Sequence, residues 1–286
     1  MNKSIETLTH SELISRSWQE IKGRFAPFML LACITPAFSW LMTGLAFGLD
    51  PMTQSAAQQQ HPLLMLLVSI LSALAGVYCT AALILFICKR TDTPWQALKT
   101  AWRPFLRLFG GGLLITVVIL VVLALLVILW LGPIQLYLRD PESSSDLLLI
   151  YGIFAPWVAM PIVPLFLGVL IVYFCLLPYL LVLTDRPVLS CFVVAFRLVK
   201  GRFFVTMGLL FLLGLISLGI GIAAGIVLSV LQFIFALASG LLAGILSLLW
   251  VPVMGLITLS VQVPLLALYL DRVSIHQAPQ ETPDGQ

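Results

Sequence analysis

Residues 195–203 read AFRLVKGRF, with three cations, Arg197, Lys200 and Arg202, in nine positions. The chain around them has 286 residues, 61% of them hydrophobic and 9% charged, and a mean hydropathy of +1.11. Soluble domains are near half apolar and a quarter charged. So little polar surface cannot cover a water-soluble core of this size. The cations are followed by an apolar stretch from Phe203 to Leu270, with Arg202 and Asp271-Arg272 expected as its polar flanks. That is far beyond the roughly 20 residues that cross the hydrocarbon of a bilayer. The nonapeptide therefore reads as a membrane boundary. The apolar runs are continuous rather than alternating, which predicts helices and not barrel strands. The expected fold class is all-α, a polytopic membrane protein.

Working outward from that boundary gives six spans. The first apolar runs are Pro27–Leu49, Pro62–Cys88 and Leu108–Leu131. A fourth run extends from Leu147 to Leu183, too long for one straight crossing and interrupted by Pro156, Pro161 and Pro164. Proline removes a backbone donor and crowds the preceding turn. The expected span is therefore about 160–183, with 147–157 a short interfacial helix or a re-entrant piece; one long tilted, kinked helix is the alternative. The Phe203–Leu270 stretch is expected to be two helices with a turn near Gln232–Gly240. The positive-inside rule sets orientation. Of the 15 Lys and Arg, all but Arg139 fall in the N-terminus, 89–107, 185–202 and the C-terminus. Both termini are thus expected in the cytoplasm, and the location is a bacterial inner (plasma) membrane. Residues 1–26 are polar or mixed and the first run exceeds a signal-peptide core, so an uncleaved span is expected, although Gln54-Ser55-Ala56-Ala57 has the look of a cleavage site.

The nonapeptide recurs. Residues 17–25 read SWQEIKGRF and residues 101–109 read AWRPFLRLF. Each starts with a small residue and an aromatic one, Trp18, Trp102 or Phe196, and ends with Phe seven positions later. Each carries cations: Lys22 and Arg24, Arg103 and Arg107, then Arg197, Lys200 and Arg202. The preceding residues are amphipathic at helical spacing, with Leu189, Phe192 and Phe196 on one face and Ser190, Arg197 and Lys200 on the other. Such helices lie in the interface, rings toward acyl chains and cations toward headgroups. Thr91-Asp92-Thr93-Pro94 and Thr184-Asp185-Arg186-Pro187 supply caps and first-turn prolines. The expected organisation is one membrane domain over 1–272, in parallel units of about 8–90, 91–185 and 186–272, with a disordered cytoplasmic tail at 273–286.

The string TDRPVLSCFVVAFRLVKGRFF, residues 184–204, resembles the boundary motif of the YciC-like family of uncharacterised bacterial inner-membrane proteins. It also resembles the integral-membrane domain that accompanies some glycerophosphodiester phosphodiesterases. The resemblance covers about the last two thirds of the chain. It implies a six-span helical inner-membrane protein without an established activity, and no catalytic residues carry over.

The sequence offers little chemistry. Within the expected spans there is no Asp, Glu, Lys, Arg or His, which argues against ion-coupled transport. Five scattered cysteines read as small buried hydrophobes. His10, His61 and His276 are far apart, Gly110-Gly111-Gly112 lacks the Lys-Ser/Thr of a phosphate loop, and Asp140, Glu142 and Asp146 read as a solvated loop. No catalytic, cofactor or metal site is expected. Gln262 is expected to hydrogen-bond between helices, with a cavity lining as the alternative. Ser217, Gly221, Gly225 and Ser229, at steps of four, are expected to pack span 5 on span 6.

The function expected is non-enzymatic: a scaffold or lipid- and envelope-associated factor. Its residues of interest are Trp18, Lys22, Arg24, Trp102, Arg103, Arg107, Phe196, Arg197, Lys200 and Arg202. Its partners are membrane lipids with anionic headgroups, and other membrane proteins, but not nucleic acid. A permease or flippase for an uncharged or amphiphilic substrate is the alternative. An enzyme acting on headgroups ranks third, having only Asp92, Asp185 and Asp271 at the basic face.

Overall fold

The computed structural model describes residues 22–48, 51–88, 90–139 and 164–277, with isolated positions 12, 15, 18 and 19. These residues form helices and no strands. Six helical segments are long and apolar enough to cross a membrane: Phe25–Phe47, Pro62–Ile87, Trp102–Leu125, Pro164–Leu183, Phe203–Phe235 and Leu242–Val273, here spans 1 to 6. The protein is a multi-pass α-helical membrane protein. The segment 147–157 lies outside the described residues.

Helix ends follow local chemistry. Span 1 stops at Gly48, whose φ of +87° is open to glycine without a Cβ penalty. A polar helix, Pro51–Gln60, links it to span 2. The helix of span 3 runs on to Arg139, 38 residues from Trp102, so AWRPFLRLF is not a separate interfacial piece. The separate helix before span 3 is the shorter Pro94–Thr100, broken from it at Ala101. Thr93 caps that helix by accepting from Gln96 N at 3.3 Å, and Gln96 Oε1 accepts from Asp92 N at 3.3 Å. Span 4 is interrupted by a turn at Cys175–Leu176. The turn between spans 5 and 6 falls at Ser239. The last helix continues to Gln277, so the first residues assigned to a tail are helical.

Hydrophobicity does not drive helices together in lipid, because lipid tails are as apolar as leucine; packing and polar contacts do. The burial pattern reflects this. Spans 3 and 5 have few buried residues along their length. The core lies where the returning spans 2, 4 and 6 meet near their C-terminal ends: Ala81–Ile87, Leu176–Val182 and Val263–Tyr269. Span 1 packs on spans 2 and 6. Small residues fill the buried contacts: Ala81, Ala82, Ala97, Ala101, Cys191 and Ala195 are all fully buried.

Two polar sequence features are absorbed by packing. Tyr179, 1% exposed, donates to Gln262 Oε1 and stacks on Tyr269 with ring centroids 5.9 Å apart. Gln262 is therefore an interhelical link. The small-residue stripe of span 5 faces span 6: Ser217 Oγ is 3.5 Å from Ser260 Oγ, and a Cβ added at Gly225 would sit 3.6 Å from Trp250. All five cysteines are free thiols.

One expectation is corrected. Asp271 and Arg272 do not flank the last span from outside. They lie within its helix, and Arg272 is only 5% exposed. Its Nε is buried without a hydrogen-bond partner. The helix does not stop at Leu270, so the polar pair is carried round its surface and one member turns inward. An apolar-run criterion cannot see that rotation.

Candidate functional site

The basic end of the bundle is built by short helices wedged between spans. Val188–Val199 is the fullest case. It buries Cys191, Ala195, Leu198 and Val199 against the bundle, a spacing of four, three and one that defines one helical face. Leu189, Val193, Phe196, Arg197 and Lys200 are left exposed. The ring-bearing face is thus not the buried one. It is directed to the surroundings, and it is anchored at its edge by Tyr173, which stacks on Phe196 at 4.6 Å and lies 5.3 Å from Phe203. Gly201, φ +89°, then turns the chain into span 5.

Pro94–Thr100 repeats the arrangement. Ala97 and Ala101 are buried at the positions that align with Cys191 and Ala195. Trp102 and Arg103 are exposed at the positions of Phe196 and Arg197. Tyr78 donates to Leu98 O and ties this helix to span 2. Lys99 Nζ stands 5.6 Å over the Trp95 ring, a cation–π contact at an exposed site. In the 17–25 segment, Trp18, Lys22, Arg24 and Phe25 are exposed, and Trp18 meets Phe25 edge-on at 6.5 Å. Arg24 and Arg202 occupy the same position in the two KGRF strings and share a backbone conformation, φ −136°, ψ 28° and φ −132°, ψ 29°. The match is confined to the arginines, because the glycine before Arg202 has φ +89° while Gly23, before Arg24, is not in the positive-φ region.

Not every cation of the three segments faces outward. Arg107 turns inward. Its Nη1 donates to Thr184 O and its Nη2 to Arg186 O, and Nη1 lies 3.4 Å from Asp185 Oδ1. The guanidinium therefore staples the start of span 3 to the loop after span 4, a task its rigid fork of donors suits. Arg90 reaches the same loop, donating to Leu183 O at 3.5 Å. Arg202 is half-buried. Sequence reasoning grouped Arg107 and Arg202 with the outward cations because spacing along one segment carries no information about a loop seventy residues away.

The described residues contain no group of three or more His, Cys, Asp or Glu able to hold a metal ion. Of the acidic residues at this end, Asp185 is engaged by Arg107. At the opposite end, a cleft of about 570 Å3 opens between span 1, the Pro51–Gln60 helix and span 6. Sequence analysis did not anticipate it; its residues are scattered over three elements and none is charged. No protein-family model, curated protein or solved structure matches this chain.

Proposed function

We propose that this chain is a non-enzymatic inner-membrane protein, a scaffold or envelope-associated factor, that holds anionic lipid around its basic end. The observation that carries the reading is the exposed pairing of rings with cations. Trp18 with Lys22 and Arg24, Trp102 with Arg103, and Phe196 with Arg197 and Lys200 all stand on the surface. A ring at the acyl boundary beside a cation at headgroup level suits an anionic lipid, and each cation near such a surface contributes about 1 kcal/mol. The aligned burial of Ala97 with Cys191 and of Ala101 with Ala195, and the shared backbone conformation of Arg24 and Arg202, support the reading of parallel units. Membership of the YciC-like group is part of this proposal and rests on the 184–204 string.

The test is direct. Replacing Arg197, Lys200 and Arg202 together by Gln lowers the phosphatidylglycerol and cardiolipin that co-purify, relative to phosphatidylethanolamine, by at least about fivefold. An unchanged lipid ratio in a normally folded variant refutes the reading. Orientation has its own check. With both termini cytoplasmic, a reporter active only in the cytoplasm is active when fused at Met1 or at Gln286. Activity of a periplasm-dependent reporter at either end overturns the topology.

The alternative, a permease or flippase for an uncharged or amphiphilic substrate, keeps one observation in its favour, the cleft. A passage along a central axis does not fit, because Phe86, Leu180 and Leu266 fill the meeting point of spans 2, 4 and 6.

A further inference from the structure

We propose that the cleft between spans 1 and 6 is a binding site for a neutral, polyhydroxylated headgroup, such as the sugar of a glycolipid. The inference concerns binding alone and is independent of the anionic-lipid reading, whose residues lie at the other end of the bundle.

The polar groups of the cleft define what fits. No lining residue is charged. Thr43 Oγ1 donates to Ser39 O at 2.8 Å, Thr258 Oγ1 to Met254 O at 2.8 Å, and Ser247 Oγ to Gly244 O. A hydroxyl has one proton and two lone pairs. With each proton spent on the backbone, these hydroxyls offer acceptors. The Trp40 indole N–H is spent as well, on Ser247 Oγ at 2.6 Å. The amide of Gln54, the indole N–H of Trp250 and the hydroxyl of Ser39 add a few donors to this acceptor-bearing lining. A phosphate or carboxylate would bring a charge into a cleft that holds no cation to neutralise it. A metal ion or ammonium needs a carboxylate, and there is none. A neutral ligand that brings many O–H donors matches the walls.

Shape agrees with this chemistry. Trp40 and Trp250 both face the cleft. Trp40 is held by its bond to Ser247, and Trp250 reaches the glycine surface of span 5 at Gly225. Fixed indole faces are platforms for the C–H faces of a pyranose ring. Val251 and Met254 complete an apolar wall, suited to the glycerol and acyl part of a lipid. The lining of span 1 runs from Thr35 to Gly48, about 20 Å along a helix, so the cleft extends from the polar end into the depth of the bundle. Its volume falls within the range of roughly 300–1,000 Å3 typical of small-molecule sites.

The experiment uses the full chain in nanodiscs of phosphatidylcholine, phosphatidylglycerol and monoglucosyl diacylglycerol in equal parts, with retained lipid read by native mass spectrometry. The glycolipid is retained over phosphatidylcholine by at least about fivefold, and Thr43→Val with Thr258→Val reduces that retention about tenfold, the loss expected for two hydrogen bonds. Phosphatidylglycerol retention does not change in that variant. Free glucose that displaces the glycolipid shows that the sugar alone is recognised; retention unaffected by glucose shows that the lipid-linked form is required. A photoreactive glycolipid labels residues 35–48 or 247–258 of the unaltered chain, so the proposal stays testable if the variant fails to fold. Equal retention of glycolipid and phosphatidylcholine, or labelling confined to other segments, overturns it. Loss of phosphatidylglycerol retention in the Arg197, Lys200 and Arg202 variant, with glycolipid still held, separates the two ends.

Discussion

Arg107→Gln lowers the stability of the protein in mild detergent by about 2–3 kcal/mol, because it removes charge-assisted bonds to two backbone carbonyls that no neighbouring side chain replaces. Arg107 donates to Thr184 O and Arg186 O and is partly sheltered, with 26% of its side chain exposed. The partner carboxylate, by contrast, is fully exposed, so the ion pair with Asp185 contributes little. Asp185→Asn is therefore close to neutral. Arg107→Lys recovers only part of the loss, since a lysine presents a point charge where two carbonyls need a fork. A shift of roughly 5 °C or more in the thermal midpoint is expected for the Gln variant. If the Asn variant at 185 is as damaging as the Gln variant at 107, the carboxylate and not the carbonyls holds the loop, and the account is wrong.

Gly255→Ala is the second large effect. A Cβ at Gly255 would stand 2.6 Å from Cys33 Sγ, with Cys33 N and Ala32 C at 3.5 and 3.6 Å behind it. Span 1 and span 6 touch there almost backbone to backbone, and Cys33 Sγ is itself directed at Val251 O at 3.7 Å. The extra methyl must push the helices apart or rotate the thiol into occupied space, at a cost of about 1–3 kcal/mol. Cys33→Ala in the same chain removes the obstructing sulfur and restores at least half of the loss. The two substitutions are thus strongly non-additive. Gly111→Ala is the control. Its Cβ would also meet an atom at 2.6 Å, but that atom is Cδ1 of Leu181, the free end of a flexible side chain. Thermal melts of the two single variants and the double variant decide the matter. Equal damage at 111 and 255, or no relief from Cys33→Ala, contradicts this packing.

The boundary segments show how far residue order carries. Their aromatic and basic residues are legible because both the headgroup layer and the helix repeat impose a short-range pattern. Trp102, Arg103, Phe196, Arg197 and Lys200 are accordingly exposed. The alignment of the three strings also anticipates positions it did not name: Ala97 and Ala101 match Cys191 and Ala195 in burial. It fails for Arg107, whose partners follow span 4, and the hydropathy limit at Leu270 fails for Arg272, whose helix runs on to Gln277. In both cases the deciding variable is the rotation of a helix against a distant element. The Tyr179–Gln262 bond is intermediate. A buried amide demands a partner, so the existence of a bond was legible, while the identity of its donor was not.

The residue sequence by itself determined that this is a helical membrane protein, where its six crossings lie, and on which end its cations gather. Each of these follows from hydropathy summed over a window and from the cost of placing charge in hydrocarbon, which are properties of contiguous residues. Tertiary structure alone decided which crossings are central. Spans 2, 4 and 6 converge while 3 and 5 contribute few buried residues, although all five are strongly apolar. In lipid the choice between such helices rests on small residues and a few polar contacts between segments far apart in the chain, and only the folded arrangement reveals those meetings. The cleft of Thr43, Gln54, Ser247 and Thr258 belongs to the same class of fact: uncharged, unremarkable residues that become a site only when spans 1 and 6 are side by side.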